Sequence, residues 1–115
     1  MMLNEYRKNL EEWWAETDAR EVARKNSQGA LVAFMDLYER LTPGERELAD
    51  QVIAEWVASE DQRKRFDALA MVDHFRIRAA TAQLRTAEAE LIERRDYEAP
   101  YELAKIRRIL KRIEA

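Results

Sequence analysis

An all-α fold of about six helices is what the sequence predicts, and three observations carry the prediction. Two glycines and two prolines in 115 residues leave little material for hairpin turns. Ala, Leu, Glu and Arg, all strong helix formers, abound. Apolar residues recur at 3 and 4 spacing through segment after segment. A chain of this length suffices for one domain, 1–115, with a core that needs no disulfide or structural metal. Its expected parts are an N-terminal helical segment over 1–25, helix pairs over 30–58 and 60–94, and a closing helix over 100–114. These stack either as a short solenoid or as an irregular helical bundle.

The first helix is expected to start after Asn4 as its cap, with Tyr6, Leu10, Trp13 and Trp14 on one side and Glu5, Lys8, Glu12 and Glu16 on the other. Adjacent tryptophans point about 100° apart, so one faces the core while the other lies at the edge of the apolar face. The segment 18–25 either extends this helix or forms a short one, and Asn26-Ser27-Gln28-Gly29 is the clearest break in the first half. ALVAFMDLYERL (30–41) is the next helix. Thr42-Pro43-Gly44-Glu45 then reads as a helix start, because the Thr42 hydroxyl accepts an orphan amide hydrogen, Pro43 lacks one, and Glu45 reaches back. The helix it opens carries Leu48, Val52, Ile53, Trp56 and Val57 through about Ala58. Ser59 and Gln62 repeat the capping-box spacing ahead of the following helix.

FDALAMVDHFRI (66–77) is apolar almost all the way round, with only a strip through Arg63, Asp67, His74 and Arg78 left polar. That pattern places this helix in the centre of the fold. Asp73 lies inside its apolar arc, where a charge must find a donor; Arg76, Arg78 or a turn amide is expected to supply one. The apolar phase shifts around 75–78, and a further helix runs through Ala80, Leu84, Ala87 and Leu91. Asp96 to Pro100 is the last break, after which Tyr101, Leu103, Ile106, Leu110 and Ile113 mark the closing helix.

A shift of 37 residues sets LVAFMDLY on LAMVDHF, with Asp36 on Asp73 and Tyr38 on Phe75; a further shift of 35 sets Met71 on Ile106 and Phe75 on Leu110. Periods of this size mark helical solenoids. The stretch from RKRFDALAMVDHFRIRAA to YELAKIRRILKRI resembles tandem HEAT-type helical hairpins. The resemblance implies that an aspartate near the inter-helix turn and a basic residue early in the second helix stitch neighbours together, a structural role that falls on Asp73 and Arg78. Asp36 has no equally placed partner, since Arg46 lies a turn too far. In size and make-up the chain is also similar to small bacterial immunity proteins, which bind and block a cognate toxin.

Residues 1–60 hold 7 Lys/Arg against 13 Asp/Glu (−6) and residues 61–115 hold 13 against 10 (+3), which together give the chain's −3. An acidic front and a basic back suit docking to a complementary partner or head-to-tail association; the structural alternative is a helical surface laced with salt bridges. Cysteine is absent, which removes thiolate chemistry and disulfides and fits a cytoplasmic protein. MMLNEYRKNLEEWW mixes charges where an export signal would be apolar, and no run of about 18 apolar residues is present. No glycine-rich phosphate loop or calcium loop occurs. The single histidine, His74, has no serine or cysteine as an evident nucleophile and is expected to be structural or exposed. Glu47 with Asp50 and Glu98 with Glu102 are expected on wet faces.

The function expected is therefore that of a non-catalytic protein-binding module without metal or cofactor, most concretely an inhibitor or immunity-like protein, monomeric or homodimeric, that occludes a protein partner such as a toxin. Its contact residues are expected to be Glu11, Glu12, Glu16 and the exposed side of Trp13 or Trp14. The alternative is a nucleic-acid-associated helical protein using Lys105, Arg107, Arg108, Lys111 and Arg112 at the C-terminus, although the acidic total disfavours nucleic acid.

Overall fold

A computed structural model describes residues 1–115 as six α-helices and one 3-10 turn, without strands. The all-α class with about six helices is thus observed. The helices are α1 (Leu3–Ala23), α2 (Gly29–Glu39), α3 (Pro43–Trp56), α4 (Gln62–Phe75), α5 (Thr81–Glu93) and α6 (Ala99–Glu114), with the 3-10 turn at Arg78–Ala80. None is long and apolar enough to cross a membrane. The chain divides into two units, Met1–Val52 and Ile53–Ala115, the division falling inside α3.

In the first unit α1 and α2 approach closely. Tyr6, Leu10, Trp14 and Thr17 of α1, Ala30, Phe34 and Tyr38 of α2, and Ala49 and Val52 of α3 are buried, the 3-and-4 spacing turning one face of each helix inward. The N-cap of α1 is Met2 rather than Asn4. Asn4 sits inside the first turn and its Oδ1 accepts from Arg7 Nη1, a side-chain bond that competes with capping. The segment from Asp18 onward continues α1. The helix then closes in a Schellman arrangement: Asn26 N donates to Glu21 O at 2.9 Å and Lys25 N to Val22 O at 2.9 Å. Lys25, at φ 60°, holds the left-handed position that glycine usually takes. Gly29 opens α2 beneath Glu21, where a Cβ would meet the Glu21 carboxylate at 2.5 Å.

The start of α3 forms as its sequence predicts. Glu45 N donates to Thr42 Oγ1 at 3.2 Å and Thr42 N to Glu45 Oε1 at 3.0 Å, the reciprocal capping box. Hydrogen bonds from Thr42, first from its amide and then from its side chain, draw the Glu45 carboxyl below the usual glutamate range.

In the second unit α6 lies closest to α5 and is also approached by α4. Ile106, Ile109, Leu110 and Ile113 of α6 are buried with Leu84 and Leu91 of α5 and Ala68, Leu69, Met71 and Val72 of α4. Within this unit α6 is the helix approached by both others, while the FDALAMVDHFRI helix buries Ala68, Leu69, Met71 and Val72 and leaves Phe66 42 % exposed. Phe66 interrupts the buried face, its ring left partly open with Lys105 Nζ 4.6 Å over it. Asp61, not Ser59, caps α4; its Oδ1 accepts from Arg63 N at 3.0 Å and Lys64 N at 3.2 Å, and Ser59 Oγ accepts from Asp61 N at 3.1 Å. An aspartate directly before the first turn accepts two amides and complements the helix dipole, which a serine two residues earlier does not. The phase shift at 75–78 is a helix end: Arg76 has φ 53° and Ile77 N donates to Val72 O at 3.1 Å, a second Schellman closure without glycine.

Candidate functional site

Asp73 ties α4 to α6, but its partner is Arg112. Arg112 Nη1 lies 3.2 Å from Oδ1 and donates to Oδ2 at 3.3 Å. The expected pairing with Arg78 is corrected: Arg78 is exposed in the 3-10 turn, where its carbonyl accepts from Thr81 Oγ1 at 2.8 Å. The αL residue Arg76 ends α4 directly after Phe75, so Arg78 lies beyond the helix end, in the 3-10 turn. Asp36, one shift of 37 earlier, is bridged within its own helix by Arg40 at 2.7 Å. Arg46 instead donates to the carbonyls of Tyr38 at 3.3 Å and Glu39 at 3.0 Å, satisfying acceptors at the end of α2.

Two carboxylates expected on wet faces are partly buried. Tyr38 donates to Asp50 Oδ1 at 2.8 Å, joining α2 to α3. Burial pushes the Asp50 carboxyl above the usual aspartate range against the pull of the Tyr38 hydrogen bond and the Arg46 charge. Burial and the same hydrogen bond push the Tyr38 phenol far up. Glu102 receives two arginines, Arg94 at 3.2 Å and Arg65 at 3.8 Å.

On α1, Glu12 and Glu16 are exposed one turn apart and form no ion pair, and Glu11 is half-buried beside them. Trp13 is half-buried with its ring 5.8 Å from that of Phe34. Trp14 is 4 % exposed and belongs to the core, which leaves Trp13 as the tryptophan at the edge. The C-terminal cations are largely engaged within the chain. Arg107 pairs with Glu88 at 3.2 Å, Arg112 with Asp73, and Lys105 Nζ sits 4.6 Å over the Phe66 ring, leaving Arg108 and Lys111 exposed. His74 is exposed with its ring edge-on to Phe75 at 4.7 Å. No three His, Cys, Asp or Glu side chains converge in a metal-binding group.

Sequence reasoning missed a groove in the second unit, about 550 Å³ in volume. Val57, Leu69, Leu91 and Ile106 line its apolar wall with Phe66, while Arg65, Arg94, Glu102, Lys105 and Gln83 add polar groups. Its residues come from α4, α5 and α6 and from the turns before α4 and α6, so no local spacing signals it. The one available sign was Phe66 on a helix whose other large apolar side chains already filled a face. Burial pushes the Lys105 ammonium below the usual lysine range, with the Arg108 charge adding to the effect and Asp73 and Glu102 opposing it.

Fold and surfaces together define an all-α protein whose first unit exposes Glu12 and Glu16 on α1 without ion pairs and whose second unit holds a ligand-sized groove. No protein-family model, curated protein or solved structure matches the chain.

Proposed function

We propose that the chain is a non-catalytic protein-binding module of the inhibitor or immunity type, which occludes a basic surface of a protein partner such as a toxin. The observation that carries this reading is a contrast in compensation. Glu12 and Glu16 stand exposed on α1 with no cation of the chain paired to them, whereas Arg107 and Arg112 of the basic helix are bound to Glu88 and Asp73. Uncompensated charge steers encounter with an oppositely charged partner. Trp13, half-buried beside these glutamates, adds the amphipathic aromatic edge that interfaces favour. Engagement of the basic helix by internal carboxylates lowers the charge it offers to phosphates and disfavours nucleic acid as the partner.

The test is a pull-down followed by titration calorimetry of the captured protein against wild type and the double variant Glu12→Lys/Glu16→Lys. Affinity is expected to fall by roughly tenfold or more, and the salt dependence of binding to flatten. Unchanged affinity overturns the reading.

A further inference from the structure

The groove of the second unit holds more polarity than its own walls satisfy. Arg65 and Arg94 are both met by Glu102, and Arg94 is further held by Asp96 through two contacts of 2.6 Å. Lys105 is not met in this way. It is half-buried, its Nζ lies over the Phe66 ring, and no carboxylate comes within ion-pair distance. A ring face offsets only part of what an ammonium loses on leaving water. Gln83 Oε1, on another side of the same groove, is buried and finds no donor. Phe66 is left 42 % exposed at this place, the largest uncovered apolar side chain of α4.

We propose that this groove binds a small amphipathic monocarboxylate, whose carboxylate pairs with Lys105 while its aliphatic or aromatic body covers Phe66 and lies along Leu69, Leu91 and Ile106. The volume falls in the range of small-molecule sites, roughly 300–1,000 Å³. A single anionic group is specified because Glu60, Glu90 and Glu98 are exposed around the same groove and repel a second one. A hydroxyl or N–H on the ligand body would satisfy Gln83. The inference is independent of the acidic face of α1.

The test is titration calorimetry of the full chain with octanoate, octanol and octylamine. Octanoate is expected to bind, with octanol and octylamine roughly tenfold weaker or more. Lys105→Gln should bring octanoate down to the level of octanol and leave octanol unchanged, and Lys105→Arg should restore octanoate binding. Raising the pH should weaken octanoate binding to wild type as the buried ammonium deprotonates, and should leave Lys105→Arg unaffected, since a guanidinium keeps its charge. Ala82→Trp, at an exposed position on the groove lip, should block all three ligands. Absence of octanoate binding at millimolar concentration, equal binding of octylamine, or octanoate binding unaltered in Lys105→Gln each overturns the proposal.

Discussion

The two units join their helices by different polar means. In the first, one phenol donates to one partly buried carboxylate, Tyr38 to Asp50, and Arg46 closes the end of α2 through its carbonyls. In the second, half-exposed arginines reach carboxylates of unequal burial: Arg85 meets the exposed Glu114 at 2.6 Å, while Arg107 and Arg112 meet the partly buried Glu88 and Asp73 at 3.2 Å each. Breaking a buried hydrogen bond strands a desolvated group at a cost of about 1–3 kcal/mol, whereas an exposed pair contributes about 0–1 kcal/mol. The single Tyr38–Asp50 bond is thus expected to matter more in the first unit than the exposed Arg85–Glu114 pair does in the second. Cohesion of the second unit then rests on the apolar face of α6.

The largest effect should come from that face. Ile109 is completely buried, and Ile109→Ala should lower unfolding free energy by about 2–5 kcal/mol, read from urea denaturation. A smaller loss than that of any arginine variant in this unit would refute the primacy of apolar packing. Next comes Tyr38→Phe, expected to cost about 1–3 kcal/mol because Asp50 loses its donor.

The Tyr38 bond also has a titration signature. Asp50 is held above the usual aspartate range, so the folded chain keeps a proton there that the unfolded chain has lost. Its contribution to stability therefore falls as pH rises from the unfolded aspartate value through the folded one. Glu45, drawn down by Thr42, acts in the opposite sense: its contribution is present above the unfolded glutamate value and is lost as pH falls through the folded one. Carboxyl carbon NMR should show Asp50 titrating above its own value in the unfolded chain and Glu45 below its own, and Tyr38→Phe should move Asp50 higher still while leaving Glu45 in place. An Asp50 that titrates at or below its unfolded value would contradict the burial assigned to it.

Lys25 and Arg76 supply a matched pair, one per unit, because both hold the left-handed position of a Schellman closure. Lys25→Gly and Arg76→Gly should each stabilise by about 1 kcal/mol in the same denaturation experiment, since the strain relieved is local to the backbone. A large difference between them would show that one cation contributes a contact of its own.

The same two positions explain part of what the sequence conceals. Helix class and number follow from composition and spacing, and Thr42-Pro43-Gly44-Glu45 is legible because all its partners lie within four residues. A helix end usually announces itself by glycine. Here Lys25 and Arg76 do that work, so the turn after Phe75 read only as a change of apolar phase. Partners distant in sequence were harder still. Nothing near Asp73 points to Arg112, 39 residues on, and the nearer arginines were the natural expectation. The groove has the same origin, since Phe66, Lys105 and Gln83 meet only through tertiary packing. The acidic face of α1 was legible for the converse reason: one helix carries all of it.

The smallest effect concerns the most conspicuous contact. Arg85 reaches both oxygens of Glu114, at 2.6 and 2.7 Å, and also Glu88 at 3.3 Å. These bonds hold the Arg85 guanidinium above its ordinary pKa. The Arg85 and Glu114 side chains are about half exposed, at 51 % and 41 %. Water competes for each bond, and ordering two long side chains costs conformational entropy. Arg85→Ala should therefore leave the urea midpoint within error of wild type, with any difference vanishing in high salt as the Debye length shortens. A salt-resistant loss comparable with that of Tyr38→Phe would mean that the carboxylate of Glu114 is desolvated in solution, and the contrast between the two units would fail at its clearest point.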